Sequence, residues 1–393
     1  MIIRKAFRYR LYPTAEQEQA LAVQFGHARF MWNWALALRK ATYQETGKGI
    51  GYYDLKRRAT ALKYQAETEW LKEADSQVLQ AKIEDLERAY KNFFQRRARF
   101  PRFKNKRDGQ SIRYPQRFKF DENSTYLPKV GWVKTKFHRP LEGRAKNVTV
   151  SKTKTGKYFV SVQCEVEMVE QPARGGEIGI DLGVKSFLAT SEGWKQDNPR
   201  HLQQAERKLK RLQHQVSRRN IGSAGREKAR LLLAHAHEKV ANQRMDFLHK
   251  LSREFINCYG LIGMEDLNVR GLVKNRSLAK AIATTGWGAF RLMLEYKGRW
   301  YGSHVHKVDR FFPSSKTCSN CRYVLDALPL SVRVWQCPSC GEIHDRDINS
   351  AINILIETRA GIARSNAGGE SVSWRVSATA LVEAGSPHAF GSG

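Results

Sequence analysis

Four cysteines fall in one 23-residue window as Cys318-x2-Cys321-x15-Cys337-x2-Cys340, and nothing else in the chain restricts its folding as sharply. Two CxxC turns each deliver a pair of thiolates from a tight knuckle, the spacing of a tetrahedral four-thiolate Zn2+ site. Four thiolates close the coordination sphere, so such a site holds structure and performs no hydrolysis. Iron–sulfur clusters and redox dithiols use similar pairs, but redox CxxC motifs normally come singly. Arg322, Arg333 and Trp335 in the enclosed loop could meet nucleic acid, although a stapling role is simpler. Cys164 and Cys258 stand alone in apolar surroundings and are expected to be buried thiols. Clustering of this kind argues against the disulfide framework of a small secreted protein.

Charge narrows the partner. The 393 residues hold 68 Lys+Arg against 38 Asp+Glu, a net of +30, which points to a polyanion with a phosphate backbone. Apolar residues at 41% exclude a wholly disordered chain, and the length favours two or more domains. No run of about 18 apolar residues occurs, so no membrane span or membrane partner is expected. Met1–Arg10 lacks the apolar core of a secretion signal, which leads to the expectation of a soluble, cytoplasmic, nucleoid-associated protein. Between Arg88 and Lys119 stand twelve Lys/Arg and one acid, interleaved with seven aromatics. Arg96, Arg97, Arg99, Arg102, Lys104, Lys106 and Arg107 are the candidate phosphate contacts there; the aromatics either stack on unpaired bases or belong to a core. A second group, with Arg207, Lys208, Lys210 and Arg211, occupies a stretch expected to be helical from Arg200 to Arg230, either steering a strand or simply solvated.

Ile2 to Leu11 mixes basic and apolar residues as a short strand closed by Pro13. Thr14 and Gln17 have capping-box spacing, so a helix starts there, and more helix is expected from Tyr53 to Phe94. Alternation from Ser111 to Glu170 reads as a small barrel or sheet. Beyond a break at Gln171–Gly176 come a buried strand, Ile178–Gly183, and a second strand, Ser186–Ser191. Long helix follows from His201 to Phe255, interrupted near Asn220–Gly225. A buried strand at Leu261–Glu265 and a helix at Trp287–Tyr301 lead to the cysteines, and Gly, Ala and Ser from Thr358 suggest a disordered tail.

Three acids stand where acids are normally unwelcome. Asp181 lies within a strand of core character, Glu265 ends another, and Asp347 precedes Ile348, Ala351, Ile352 and Leu355, an amphipathic helical stripe. Singly, they read as a turn residue, a strand-end surface acid and an N-cap. Together they make a possible cage for divalent cations, able to activate water against a phosphodiester.

Gly179-Ile180-Asp181-Leu182-Gly183, Met264-Glu265-Asp266-Leu267-Asn268, the four cysteines and Asp345-Arg346-Asp347-Ile348-Asn349-Ser350-Ala351-Ile352-Asn353-Ile354 occur in the order seen in TnpB (OrfB) proteins. Tyr9-Arg10-Leu11-Tyr12-Pro13-Thr14 and Ala363-Arg364-Ser365-Asn366-Ala367 resemble the opening and ending of that family, so the resemblance spans nearly the whole chain. These are transposon-encoded, RNA-guided DNA endonucleases related to type V CRISPR effectors. The resemblance implies an α+β multidomain chain. Residues 1–13 and 111–172 would form a wedge β-barrel, with a helical recognition lobe at 14–110 inserted. An RNase H-like (RuvC) α/β nuclease domain would occupy 173–313 and 343–357, with a zinc-binding insertion at 314–342 and a tail at 358–393. It further implies Asp181, Glu265 and Asp347 as catalytic acids holding Mg2+ or Mn2+, with Asp345 as the fallback for the last. Cys318, Cys321, Cys337 and Cys340 would hold structural zinc. Transposon-derived guide RNA and duplex DNA with a short flanking motif would be the partners of a monomer. Two positions depart from the family pattern: Arg322 stands where Gly is usual and Ser350 where Ala is usual. Two rival functions use the same features: a transposase performing strand transfer, and a non-catalytic zinc-containing regulator of transposition.

Overall fold

Residues 2–12 alternate as their sequence suggests and form one long strand, β1 (Ile2–Tyr12), with Phe7, Tyr9 and Leu11 turned into a core. In the computed structural model, which describes residues 2–168, 175–274 and 279–367, this strand is the spine of the first of two units, built on Met1–Glu167. After Pro13, Thr14 accepts from the backbone N–H of Gln17, whose side chain returns the bond to Thr14 N–H, and this capping box starts α1 (Ala15–Thr46). Gly47, at φ 67°, ends it in the left-handed conformation that glycine adopts without a Cβ penalty. The helical stretch beyond is broken. α2 (Tyr52–Ala61) passes into 3-10 turns, Gln65 is extended, and Asp75 then caps α3 (Ser76–Phe94) by accepting from Gln77 and Val78 N–H. Leu36, Leu55, Leu71, Leu79 and Leu86 pack these helices together.

Strands β2 (Gln110–Tyr114), β3 (Lys119–Asp121), β4 (Ser124–Leu127), β5 (Gly131–Lys136), β6 (Arg144–Lys152) and β7 (Tyr158–Glu167) join β1 in a curled, antiparallel, seven-stranded sheet. Its order is β2-β6-β7-β1-β5-β4-β3: β1 pairs along its length with β7 and, near its end, with β5.

The second unit begins at Met168. β8 (Glu177–Leu182), β9 (Ser186–Thr190) and β10 (Lys195–Asp197) form an antiparallel run, and β8 is parallel to β11 (Leu261–Glu265), which is parallel to β12 (His304–Val308). The sheet order is therefore β10-β9-β8-β11-β12. Between β10 and β11 lie α4 (His201–Ser217) and α5 (Ala224–Cys258), divided where the sequence expects a break. Then come α6 (Val269–Leu272), α7 (Ala279–Thr285) and α8 (Trp287–Tyr301). Ile178, Ile180, Ile262 and Met264 on one face of the sheet pack with Leu248, Leu251 and Phe255 of α5 and Phe290 and Leu294 of α8. Each such side chain, fully buried, contributes about 1.5–3 kcal/mol.

The opposite face carries glycines. Gly179 and Gly263 are cross-strand partners, and over them lies α9 (Arg346–Ala367), reached through β13 (Val334–Gln336) and β14 (Ile343–Asp345). A Cβ on Gly179 would stand 2.0 Å from the Ala351 carbonyl oxygen, and one on Gly263 would stand 2.2 Å from Thr358 Oγ1. Only glycine allows the helix to lie this close.

Three expectations are corrected. Cys164 is buried, but Cys258, at the exposed end of α5, is not. α9 continues through Ala367, so residues 358–367 are helix where a tail was expected; 368–393 lie outside the described residues. The most buried side of α9 is also rotated from its apolar stripe. Asn349, Ser350, Ala351, Asn353, Ile354 and Thr358 are buried, whereas Ile348, Ile352 and Leu355 are half-buried. Asn349, Ser350 and Asn353 occupy the interior there because each finds a fixed partner, whereas Thr358 Oγ1 finds none among the described residues.

Candidate active site

Side chains alternate along a strand, so Asp181 shares the face of Gly179, and Glu265 that of Gly263. Met264 pairs with Ile180, which sets Glu265 and Asp181 side by side, one residue further on, at the carboxyl ends of adjacent parallel strands. α9, seated on the glycines, brings Ser350 to Asp181 and places Asp347 within its electrostatic reach. The three acids thus converge through one sheet register and one helix packing.

Asp181 is pushed well above the ordinary carboxylate range, first by burial, then by the charges of Glu265 and Asp347. Glu265 is also raised by burial, against the lowering effect of the Ser314 hydroxyl. Ser350 Oγ donates to Ser314 Oγ (2.9 Å), and Ser314 Oγ donates to Glu265 Oε1 (2.5 Å), while the Ser350 hydroxyl works against the rise at Asp181. Three hard carboxylates at two strand ends and a helix start are a donor set of the kind that Mg2+ or Mn2+ takes.

Asp347 meets cations instead. Arg333 Nη1 donates to Asp347 Oδ1 at 3.3 Å, and Lys195 Nζ on β10 lies 3.7 Å from Oδ2. Lys195 also donates to both oxygens of Asp345, at 2.8 and 2.7 Å. Asp345, not Asp347, accepts from the backbone N–H groups of Asp347 and Ile348, and so caps α9. Burial works against the Asp345 carboxylate, but these bonds and Lys195 hold its pKa below the usual value.

The four cysteines do come together. Their sulfurs lie within 4.8 Å of one another, and among the described residues no other set of three or more metal-binding side chains is as close. Cys318 and Cys340 sulfurs are 3.7 Å apart, and those of Cys321 and Cys337 are 3.6 Å apart. A tetrahedron with Zn–S of about 2.3 Å has edges of about 3.8 Å, so spacing and donors both fit zinc. The Tyr323 backbone N–H pulls the Cys321 thiol down to about 6. His344, buried against Trp335, places Nε2 3.0 Å from Cys318 Sγ. The cysteine spacing could not reveal His344, because it binds from a strand outside both knuckles.

A cavity of about 430 Å3 is lined by Lys185, Arg200, Arg244 and Arg333, with His201 and Phe247 on its wall. Arg333 thus belongs to both the cavity and the acids. Of the other basic candidates in this unit, Arg207, Lys208, Lys210 and Arg211 are exposed on α4, and Lys210 pairs with Glu206 at 3.3 Å. In the first unit Arg96, Arg97, Arg99, Arg102, Lys106 and Arg107 are exposed along a segment tied to α1. Trp32 Nε1 donates to the Arg102 carbonyl, and Asn33 exchanges bonds with the Lys104 backbone. Lys104 is half-buried, its Nζ 3.8 Å from the centroid of the Trp32 ring, and burial, then Lys82, lowers it to about 8. The aromatics here divide: Tyr114 is core, whereas Phe94, Phe100 and Phe103 are exposed.

An α/β unit with acids at its strand ends, a four-thiolate cluster and a separate curled sheet defines the type V effector class of fold. The solved structure titled "Cryo-EM structure of the Cas12f1-sgRNA-target DNA complex" has this fold, with a TM-score of 0.55 at 14% identity, covering 90% of this chain and 99% of that one. Residues 287–354 match the family described as "Cas12f1-like, TNB domain", 160–276 match "Probable transposase" of the OrfB/IS605 type, and 1–48 match its "Helix-turn-helix domain". Those first 48 residues fold here as β1 and the single helix α1. A Streptomyces pristinaespiralis protein named "Putative RNA-guided DNA endonuclease" is 39% identical over 93% of this chain and 91% of its own length. The Escherichia coli (strain K12) protein "Putative RNA-guided DNA endonuclease InsQ" is 34% identical over 91% of this chain and 93% of its own. The chain belongs to the TnpB (OrfB) family of transposon-encoded RNA-guided DNA endonucleases.

Proposed function

We propose that this protein is an RNA-guided DNA endonuclease that hydrolyses phosphodiesters at one RuvC-like site made by Asp181, Glu265 and Asp347. The observation that carries the reading is the convergence of these acids, from two parallel strands and the helix seated on their glycine row. The strand order β10-β9-β8-β11-β12, three antiparallel and then two parallel additions, supports an RNase H-like domain. Asp181, Glu265 and Asp347 would hold Mg2+ or Mn2+, which would supply activation of water and charge neutralisation at the leaving oxygen. The chain's own residues do the rest. Lys185, Arg200 and Arg333 line the way to the acids and draw a DNA strand in by its phosphates. Arg333 and Lys195, already beside Asp347, keep positive charge where the scissile phosphate arrives. Cys318, Cys321, Cys337 and Cys340 would hold zinc, which would brace the insertion that carries Arg333.

Base pairing with a guide RNA supplies sequence recognition, and the protein grips the heteroduplex by charge and shape. The exposed arginines from Arg96 to Arg107, on a segment held by Trp32 and Asn33, suit that grip, with Phe94 and Phe103 open for stacking. A recognition lobe of α1–α3 inserted in a wedge sheet suits the reading of a flanking DNA motif. The test uses purified protein with its co-purifying RNA, a matching duplex and Mg2+. Cleavage that needs the RNA and vanishes in Asp181→Ala is expected; joined ends, or cutting without RNA, would overturn the reading.

A further inference from the structure

The buried polar face of α9 has a function that the acids alone do not explain. Asn349 Nδ2 donates to the Thr317 carbonyl at 2.8 Å, and its Oδ1 accepts from Ser319 N–H at 2.9 Å. One turn later, Asn353 Nδ2 donates to the Thr317 and Ser314 carbonyls at 2.6 and 2.9 Å, while its Oδ1 accepts from Arg322 at 2.8 Å. Both asparagines therefore grip the backbone that leads into and through the first cysteine knuckle. Between them, Ser350 reaches Ser314, and Ser314 reaches Glu265. Asn349, Ser350, Asn353, Ser314 and Thr317 are all at least 95% buried, so a missing partner would leave a polar group stranded.

We propose that Ser314 and Ser350 are positioning residues, a hydroxyl pair set in place by the thiolate knuckle that fixes the Glu265 carboxylate, beside Asp181 at the strand ends, for a divalent cation. Zinc at one centre and cation affinity at the other are then linked through a single fixed loop. Partners one bond away from metal ligands commonly change affinity 10- to 100-fold when removed. This inference rests on the carboxylate site proposed above.

The test is direct Mn2+ binding, followed by electron paramagnetic resonance, to full-length, zinc-loaded protein, with zinc content measured in parallel. Wild type should bind Mn2+ and Asp181→Ala should not. Wild-type binding that Asp181→Ala leaves intact would defeat the carboxylate site itself. Given that site, Ser314→Ala should weaken Mn2+ about tenfold and Ser350→Ala roughly threefold, with zinc retained. Ser314→Thr, which keeps the hydroxyl, should restore binding. Asn353→Ala should weaken Mn2+ while changing neither acid. Should Ser314→Ala lose zinc, Ser350→Ala decides, since it touches no backbone of the knuckle. Unchanged Mn2+ affinity in Ser350→Ala and in zinc-loaded Ser314→Ala would overturn the proposal.

Discussion

The thiolate and carboxylate centres belong to one unit yet are built in opposite ways. The four sulfurs come from two short turns and gather within 4.8 Å, with donors of one kind and partners that welcome their charge. The three acids come from β8, β11 and α9, repel one another, and meet instead the Ser314 hydroxyl at Glu265 and Lys195 and Arg333 at Asp347. Four thiolates this close can relieve their charge by closing around one ion, which would stabilise the fold. The carboxylates gather like charge in a buried place, which costs stability and is the kind of arrangement found at reactive sites.

The largest effect should separate these roles. Asp181→Ala is expected to lower cleavage by about a thousandfold or more, with RNA binding and zinc content unchanged, as a gel cleavage assay and metal analysis would show. Cys318→Ser should do the reverse in kind: zinc is lost and the unit melts several degrees lower. If both variants failed in the same way, the contrast between the centres would be false.

Next in size is the effect of pH. Asp181 and Glu265 have raised pKa values, so between the ordinary carboxylate value and the raised one the folded chain binds more protons than the unfolded chain. Without divalent cation, that share of stability is present at low pH and is lost as pH rises through the raised pKa. Asp181→Asn should therefore raise the melting temperature of the cation-free protein near pH 8 by a few degrees. The rise in melting temperature with Mg2+ should be larger at pH 8 than at pH 5.5, and a flat response would remove the strain assigned to the acids.

Smaller effects sharpen the picture. Lys185→Ala with Arg200→Ala should weaken DNA-strand engagement several-fold while zinc and Mn2+ binding stay intact, and the loss should shrink at high salt. Arg322 should matter least. Its φ of 70° is a left-handed strain of about 1 kcal/mol, offset by its bond to Asn353. Arg322→Gly removes both, so denaturation midpoints should move by under about 1 kcal/mol.

Much of the site could be read before any fold was known, and the reasons differ by residue. The cysteines were legible because both knuckles are local, and spacing alone delivers the pairs. Asp181 and Glu265 stood out because a charge in an apolar strand demands a reason. Asn349, Ser350 and Asn353 did not stand out, because a helical stripe is sought among apolar residues, and these are polar side chains on the buried side of α9. Their only trace was Asn at i and i+4 inside a helix of mixed polarity. His344 and Lys195 left no trace, since each acts on a residue from another strand or turn.

What the sequence determined by itself is what depends on neighbours along the chain: the Thr14 capping box, the strands and helices, the paired thiolates and the excess of positive charge. Even there, local pattern misplaced Cys258 and the end of α9. Tertiary structure alone decided which acids meet. The β8–β11 register aligns Asp181 with Glu265, and two glycines without Cβ atoms admit α9 to the sheet. Ser350 of that helix then reaches Glu265, more than eighty residues earlier in the chain, through Ser314. Register and close packing are long-range properties, fixed by the burial of a whole face at once, and no window of sequence contains them.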